Sequence, residues 1–193
     1  MAAHIGAIAL WSGLQAGERI GGAVLGDNTL HDTRPKRSQH AVLSMIGGLM
    51  SEGHPGGNPQ GADKTMGDLL HQLERIARPS ARVFLISDFH DLFEADYLLP
   101  LRRLVRKTQI IAIAISDVLE AELPKAGFYA VTDGVSHSQL NTGASGVSEM
   151  YAQEYRDRQD QLSRRLRELR VPLLLVRTSQ DPLRQLLTVF PAQ

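Results

Sequence analysis

The chain has 193 residues, with 21 Lys and Arg against 21 Asp and Glu, no Cys, 42% hydrophobic residues and 5% aromatics. That length lets one domain over residues 1–193 bury a core without disulfides or a structural metal, and zero formal net charge argues against nucleic acid as the partner, because that affinity rests on clustered Lys and Arg. The lack of Cys excludes thiolate nucleophiles and Cys-ligated zinc or iron–sulfur centres and is compatible with a reducing compartment.

Apolar stretches such as residues 109–115 fall far short of the ~18 residues of a membrane span, and no basic segment followed by an apolar one marks a signal peptide. The expectation is a cytoplasmic protein with no membrane span.

Residues 1–16 place Ile5, Ile8, Ala9 and Leu14 at helical spacing with no capping residue ahead of them. Residues 19–25 form a short strand, and Gly26-Asp27-Asn28 is turn chemistry leading into a polar strand, so a hairpin at a sheet edge is expected. Residues 40–50 carry Val42, Leu43, Ile46, Leu49 and Met50 on one helical face. The Gly- and Pro-rich stretch 51–64 reads as an exposed loop.

Met66, Leu69, Leu70, Leu73, Ile76 and Ala77 then follow helical spacing until Pro79 stops them. Residues 83–86 and 110–115 are continuous apolar runs, the pattern of parallel strands covered on both faces. Between them lies a basic helix that Pro100 starts or kinks. Residues 128–131 and 137–141 flank Thr132-Asp133-Gly134 as a second hairpin. A charged helix over 147–170 turns Tyr151, Tyr155, Leu162, Leu166 and Leu169 inward. Residues 171–176 give a third buried strand, and Asp181-Pro182 opens a last helix as N-cap and first residue. Helices alternating with apolar strands predict an α/β fold, a doubly wound, mostly parallel sheet with helices on both faces.

In such a sheet ligands bind beyond the carboxyl ends of the strands. Ser87-Asp88-Phe89-His90-Asp91 follows one strand and Ser116-Asp117 the next, which brings Ser and Asp oxygens to one rim, as hard cations require. The plainer reading of the same residues is helix capping and turn formation. Thr65, three residues before Asp68, has capping-box spacing; its other reading is a hydroxyl presented to a metal at the rim.

Gly61-Ala62-Asp63-Lys64-Thr65 is not a phosphate loop, since an acid stands where glycine is required before Lys. A phosphatase nucleophile loop wants a second acid two positions after Asp88, where His90 stands. The seven histidines show no zinc spacing, and His90 at the rim has no evident acid–base partner. The basic faces at 102–107 and 156–170 read as solvated helix surface or as a docking surface for an acidic protein.

Several segments in order carry a family resemblance: Ala16-Gly17-Glu18-Arg19-Ile20-Gly21-Gly22, Arg34-Pro35, Leu85-Ile86-Ser87-Asp88-Phe89, Asp117-Val118-Leu119-Glu120 with Leu123-Pro124 and Gly127, Thr132-Asp133-Gly134, and Thr178-Ser179-Gln180-Asp181-Pro182. The chain resembles the bacterial von Willebrand factor A-like proteins of domain-of-unknown-function family fifty-eight, often encoded beside MoxR-type AAA+ ATPases.

The resemblance implies a von Willebrand A-like sheet with a metal-ion-dependent adhesion site at its carboxyl rim, to which Asp88 and Thr65 would contribute. The Asp-x-Ser-x-Ser-like run after the family's first strand has no counterpart, and Met1 falls inside the expected first helix. The expectation is therefore an N-terminally truncated von Willebrand A-like domain with an incomplete metal site. A gap between the strands at Ile20 and Val83 would be closed by direct pairing, a swapped segment or another copy.

Two functions compete. The favoured one is a non-enzymatic protein-interaction module that assists an AAA+ ATPase in complex assembly, with Ser87, His90 and Asp117 on its docking rim, no cofactor beyond weak Mg2+, and self-association as a further expectation. The alternative is a metal-assisted hydrolase or phosphotransferase using Asp88 and Asp117.

Overall fold

The computed structural model describes residues 1–26, 29–51, 64–90, 95–124, 127–132, 137–143 and 146–189. In chain order its elements are α1 (Ala2–Gln15), β1 (Ile20–Leu25), β2 (Leu30–Lys36), α2 (Gln39–Ser51), α3 (Met66–Ile76), β3 (Arg82–Ser87), α4 (Ala95–Lys107), β4 (Gln109–Ser116), α5 (Val118–Ala121), β5 (Phe128–Thr132), β6 (His137–Asn141), α6 (Val147–Glu168), β7 (Leu173–Arg177) and α7 (Pro182–Val189). Most of the expected loop over 51–64, the tips of both hairpins and Asp91 lie outside the described residues.

The apolar runs become a three-stranded parallel sheet in the order β3-β4-β7. Val83 sits opposite Ile110 and Leu85 opposite Ala112, while Ala114 faces Leu175 on the other side of β4. Because side chains along a strand alternate between faces, β4 feeds two cores. Ile110, Ala112 and Ala114 join Leu70 and Leu73 of α3, Leu101 and Leu104 of α4, and Leu162 and Leu166 of α6. Ile111, Ile113 and Ile115 point the other way, where Ile113 packs with Ile5 of α1, Leu186 of α7 and Val176 of β7. The sheet is thus flanked by helices on both faces, and its carboxyl ends come together where the chain leaves β3, β4 and β7.

Pro100 lies inside α4 and is fully buried, so it does not start that helix. Asp117 caps α5, a four-residue helix absent from the sequence reading. Asp181 accepts from Arg184 N at 2.9 Å, as expected of an N-cap ahead of Pro182. No helix among the described residues is long and apolar enough to cross a membrane.

The first hairpin differs from expectation. β1 pairs antiparallel with β2, and the two form a sheet of their own rather than the edge of the parallel one. The pairing slips between Ile20 and Gly22. A Cβ on Gly21 would come within 2.5 Å of Thr33 O and 2.7 Å of Pro35 N, so only glycine lets the two backbones approach so closely. Direct pairing of β1 with β3 is not seen: among the described residues β1 has β2 as its strand neighbour and β3 has β4. Between the two hairpin and sheet edges runs a cleft of about 740 Å³. The second hairpin, β5 with β6, is likewise a separate two-stranded sheet.

Candidate interaction rim

At the end of β3 the chain turns sharply. Phe89 has φ +57°, a left-handed conformation that costs a non-glycine residue about 1–2 kcal/mol, yet its side chain is only 2% exposed. Burial of the ring in the core beneath holds the strained turn. Hydrogen bonds from the flanking residues complete it: Phe89 N donates to Ser87 Oγ at 3.1 Å, Ser87 Oγ donates to Asp88 Oδ1 at 3.3 Å, and His90 N donates to the same Oδ1 at 3.1 Å. Asp88 and His90 are exposed on this turn.

At the end of β4, Asp117 accepts from Leu119 N at 3.0 Å through Oδ1 and from the Thr178 hydroxyl through Oδ2. Thr178 follows β7, and its N donates to Ser116 O at 3.0 Å, so one threonine joins the ends of two strands. The Thr178 hydroxyl, followed by the Leu119 amide, holds the Asp117 carboxyl below the ordinary carboxylate range, because both bonds favour the charged form.

Thr65 lies at the start of α3, where the capping box expected from its spacing is formed. Asp68 N donates to Thr65 Oγ1 at 3.3 Å, and Thr65 N donates to Asp68 Oδ2 at 3.0 Å. The backbone bond from Thr65 is the main cause that draws the Asp68 carboxyl down.

These bonds decide whether the residues fit a resident Mg2+. The Thr65 hydroxyl accepts from the Asp68 amide and lies 3.3 Å from Asp68 Oδ2 as a donor, and Asp88 Oδ1 already accepts twice. Among the described residues no group of three or more His, Cys, Asp or Glu side chains could hold a metal ion. One carboxylate and one engaged hydroxyl are few protein ligands for Mg2+, which held by so few keeps most of its waters. No chemistry is therefore routed through it.

The imidazole of His90 meets α6. Arg158 Nη1 lies 3.2 Å from His90 Nδ1. Since guanidinium only donates, Nδ1 accepts and the proton of the neutral ring sits on Nε2. Arg158 is held in turn by Glu154, 3.5 Å away and one helical turn back. His90, Met150, Gln153, Glu154, Asp157 and Arg158 line a shallow cleft of about 680 Å³. The hydroxyl of Tyr151 on α6 donates to Leu119 O at 3.1 Å, tying α5 beside this cleft.

Ser87, Asp88, His90 and Asp117 thus all lie at the ends of β3 and β4, as the sequence reading expected. Two further residues belong to the rim that the sequence reading did not place there, although Thr178 stood in one of the family motifs. Thr178 stands directly after the third apolar strand, so extending the inspection of strand ends to β7 would have found it. Arg158 lies 68 residues from His90 on a face read as solvated, and no local signal marks it.

The arrangement defines an α/β domain with a hydrogen-bonded polar rim at the carboxyl ends of its parallel strands. The chain belongs to the family described as "Protein of unknown function DUF58", which it matches over residues 1–161. It is similar to Uncharacterized protein Rv1480 and Uncharacterized protein MT1527 of Mycobacterium tuberculosis and to Uncharacterized protein Mb1516 of Mycobacterium bovis. Each is 25% identical over 173 residues, which cover 86% of this chain and 51% of the relative. The chain therefore spans about half the length of these curated relatives.

Among solved structures it is similar to the conserved hypothetical protein BatB from Bacteroides thetaiotaomicron, with a TM-score of 0.49 and 13% identity over 93% of this chain and 82% of that one. An uncharacterized membrane spanning protein from Vibrio fischeri matches with a TM-score of 0.26 and 17% identity, over 94% and 83% of the two chains.

Proposed function

We propose that this chain is a non-enzymatic protein-interaction module of von Willebrand A-like type, and that its rim docks a MoxR-type AAA+ ATPase during assembly or maturation of a protein complex. The observation that carries the reading is an apolar surface beside the polar rim. Val118 and Leu119 on α5 are 45% and 60% exposed, and Met150 on the adjoining α6 is 68% exposed. Exposed apolar side chains on the helices that flank oriented polar groups suit a protein partner, for which apolar and polar contacts together are the usual composition.

Among the described residues, the polar groups of the rim are engaged with one another and with the backbone. Ser87 donates to Asp88, and His90 Nδ1 faces a guanidinium rather than a hydroxyl. The class of partner comes from the resemblance of the chain's motifs alone.

The test titrates the purified chain with a MoxR-type ATPase from the same organism and follows binding by fluorescence anisotropy. Leu119→Asp and Met150→Asp each place a charge in the apolar centre and are expected to weaken binding about tenfold or more. Absence of binding overturns the assignment. Hydrolysis of p-nitrophenyl phosphate with Mg2+ that disappears in Asp117→Asn and Asp88→Asn would replace it with the hydrolase reading.

A further inference from the structure

β3, β4 and β7 all start at the pole opposite the rim, with Arg82 of β3 level with Gln109 of β4 and Leu173 of β7 level with Ala112. α3, α4 and α6 each feed one of these strands through a short turn, so each runs opposite to its strand and ends at that pole. Hydrogen bonds tie the ends together. Ser80 N donates to Lys107 O at 2.8 Å, Gln109 N to Ala81 O at 2.9 Å, Lys107 Nζ to Glu74 O at 2.7 Å, and Ala112 N to Pro172 O at 2.9 Å.

The charge gathered there is one-sided. Residues 74–82, 103–107 and 164–170 hold ten Lys and Arg against two acids, Glu74 and Glu168, in a chain whose totals are 21 and 21. The rest of the molecule therefore carries an excess of acid. Each helix C-terminus has about half a negative charge, so three such ends and two carboxylates leave most of the ten cations unbalanced. Arg78, Arg82, Arg106, Arg167 and Arg170 are exposed, and among the described residues none of the five is ion-paired. Arg170 also takes φ +57°, the left-handed conformation that helix ends usually give to glycine, so the turn before β7 holds a cation where the backbone favours glycine.

We propose that this pole docks an extended acidic segment of a protein partner. All but one of the ten cations are arginine, whose planar fork meets a carboxylate with two parallel hydrogen bonds. α3, α4 and α6 cover one face of the sheet, and helices packed side by side lie about 8–10 Å apart. Their three ends thus form a row of about 20 Å, the length of about six extended residues.

A long nucleic acid fits less well, because beyond the pole its phosphates meet the acid excess of the remainder. A bilayer surface is gripped by apolar anchors beside the cations, and none of the exposed large apolar side chains among the described residues falls in the three segments. This inference concerns the pole opposite the rim and stands or falls independently of the ATPase reading.

The probe is a fluorescein-labelled peptide of about eight Asp and Glu residues, titrated with the purified chain at low salt and followed by fluorescence anisotropy. The expected result is saturable one-to-one binding that is lost at ~1 M salt, where the screening length falls to ~3 Å. Arg78→Gln with Arg106→Gln, and Arg167→Gln with Arg170→Gly, are each expected to weaken it about tenfold. Arg156→Glu makes the same change in net charge on α6 about three turns from Arg167 and should leave binding near wild type. Arg170→Gly alone should weaken binding while raising the melting temperature, because glycine relieves the left-handed turn.

Absence of saturable binding, or an equal loss in Arg156→Glu, overturns the proposal. So does an oligodeoxynucleotide or a phosphatidylserine vesicle that binds more tightly than the peptide and loses that binding in the same double variants, because the pole would then belong to nucleic acid or to a membrane.

Discussion

Truncating Leu85 to Ala tests the division of the sheet into covered and open positions. Leu85 is 6% exposed, stands opposite the fully buried Ala112, and packs into the cluster formed by α3, α4 and α6. The substitution removes three carbons, a transfer loss of ~2.4 kcal/mol at ~0.8 kcal/mol per methylene. An incompletely collapsed cavity raises such losses to between ~2.7 and ~5 kcal/mol. Because Leu85 also borders the cleft beside β3, its surroundings can relax inward, and the lower half of that range is expected.

Leu175 on β7 is the control: the same residue type in the same sheet, but 53% exposed. Its truncation gives up about half the transfer loss and closes off no cavity, so ~1 kcal/mol or less is expected. The assay is urea unfolding followed by circular dichroism, with unchanged slope and a shifted midpoint. Against a total stability of ~5–15 kcal/mol the two variants are easily separated. Equal midpoint shifts would refute the reasoning, since burial would then not be what distinguishes the two strand positions.

Two predictions concern the polar bonds. Thr65→Ala removes the acceptor of the Asp68 amide and should lower stability by ~0.5–2 kcal/mol, while Thr65→Ser, which keeps the oxygen, should lie close to wild type; equal losses in urea midpoint would show that the cap bond contributes nothing. Asp117 has a lowered folded-state pKa, so its contribution is fully present above the ordinary carboxylate value of ~3.9 and is lost as pH falls through the lower folded value. The stability advantage of wild type over Asp117→Asn should therefore be constant near neutrality and shrink below about pH 4. A melting-temperature difference that stays the same across the acid limb would contradict this.

Legibility in the sequence followed how local the determining interaction is. The isoleucines and alanines of β4 form an unbroken apolar run, which only a strand covered on both faces accommodates, and they do occupy that position. The capping box at Thr65 and the N-caps at Asp117 and Asp181 depend on residues two or three apart, and capping was among the readings of all three. α5, with four residues, is too short to establish a period, so its cap was legible and its helix was not.

Pairing between strands is a tertiary matter. Nothing in residues 19–25 tells whether that strand meets β3 or stays with β2 alone, and the expected place at a sheet edge was not where it lies. The contact of His90 with Arg158 had no sequence signal for the same reason: it is created by the way α6 crosses the rim.

The unequal sides of β4 set how the two helical layers meet it. Towards α3, α4 and α6 the strand presents Ile110, Ala112 and Ala114, and towards α1 and α7 it presents Ile111, Ile113 and Ile115. Short side chains let one helical layer settle close to the backbone, while long branched ones hold the other layer away. On the first side the helices meet the middle of β4 through its alanines; on the second α1, one wall of the cleft beside β3, meets it through branched side chains.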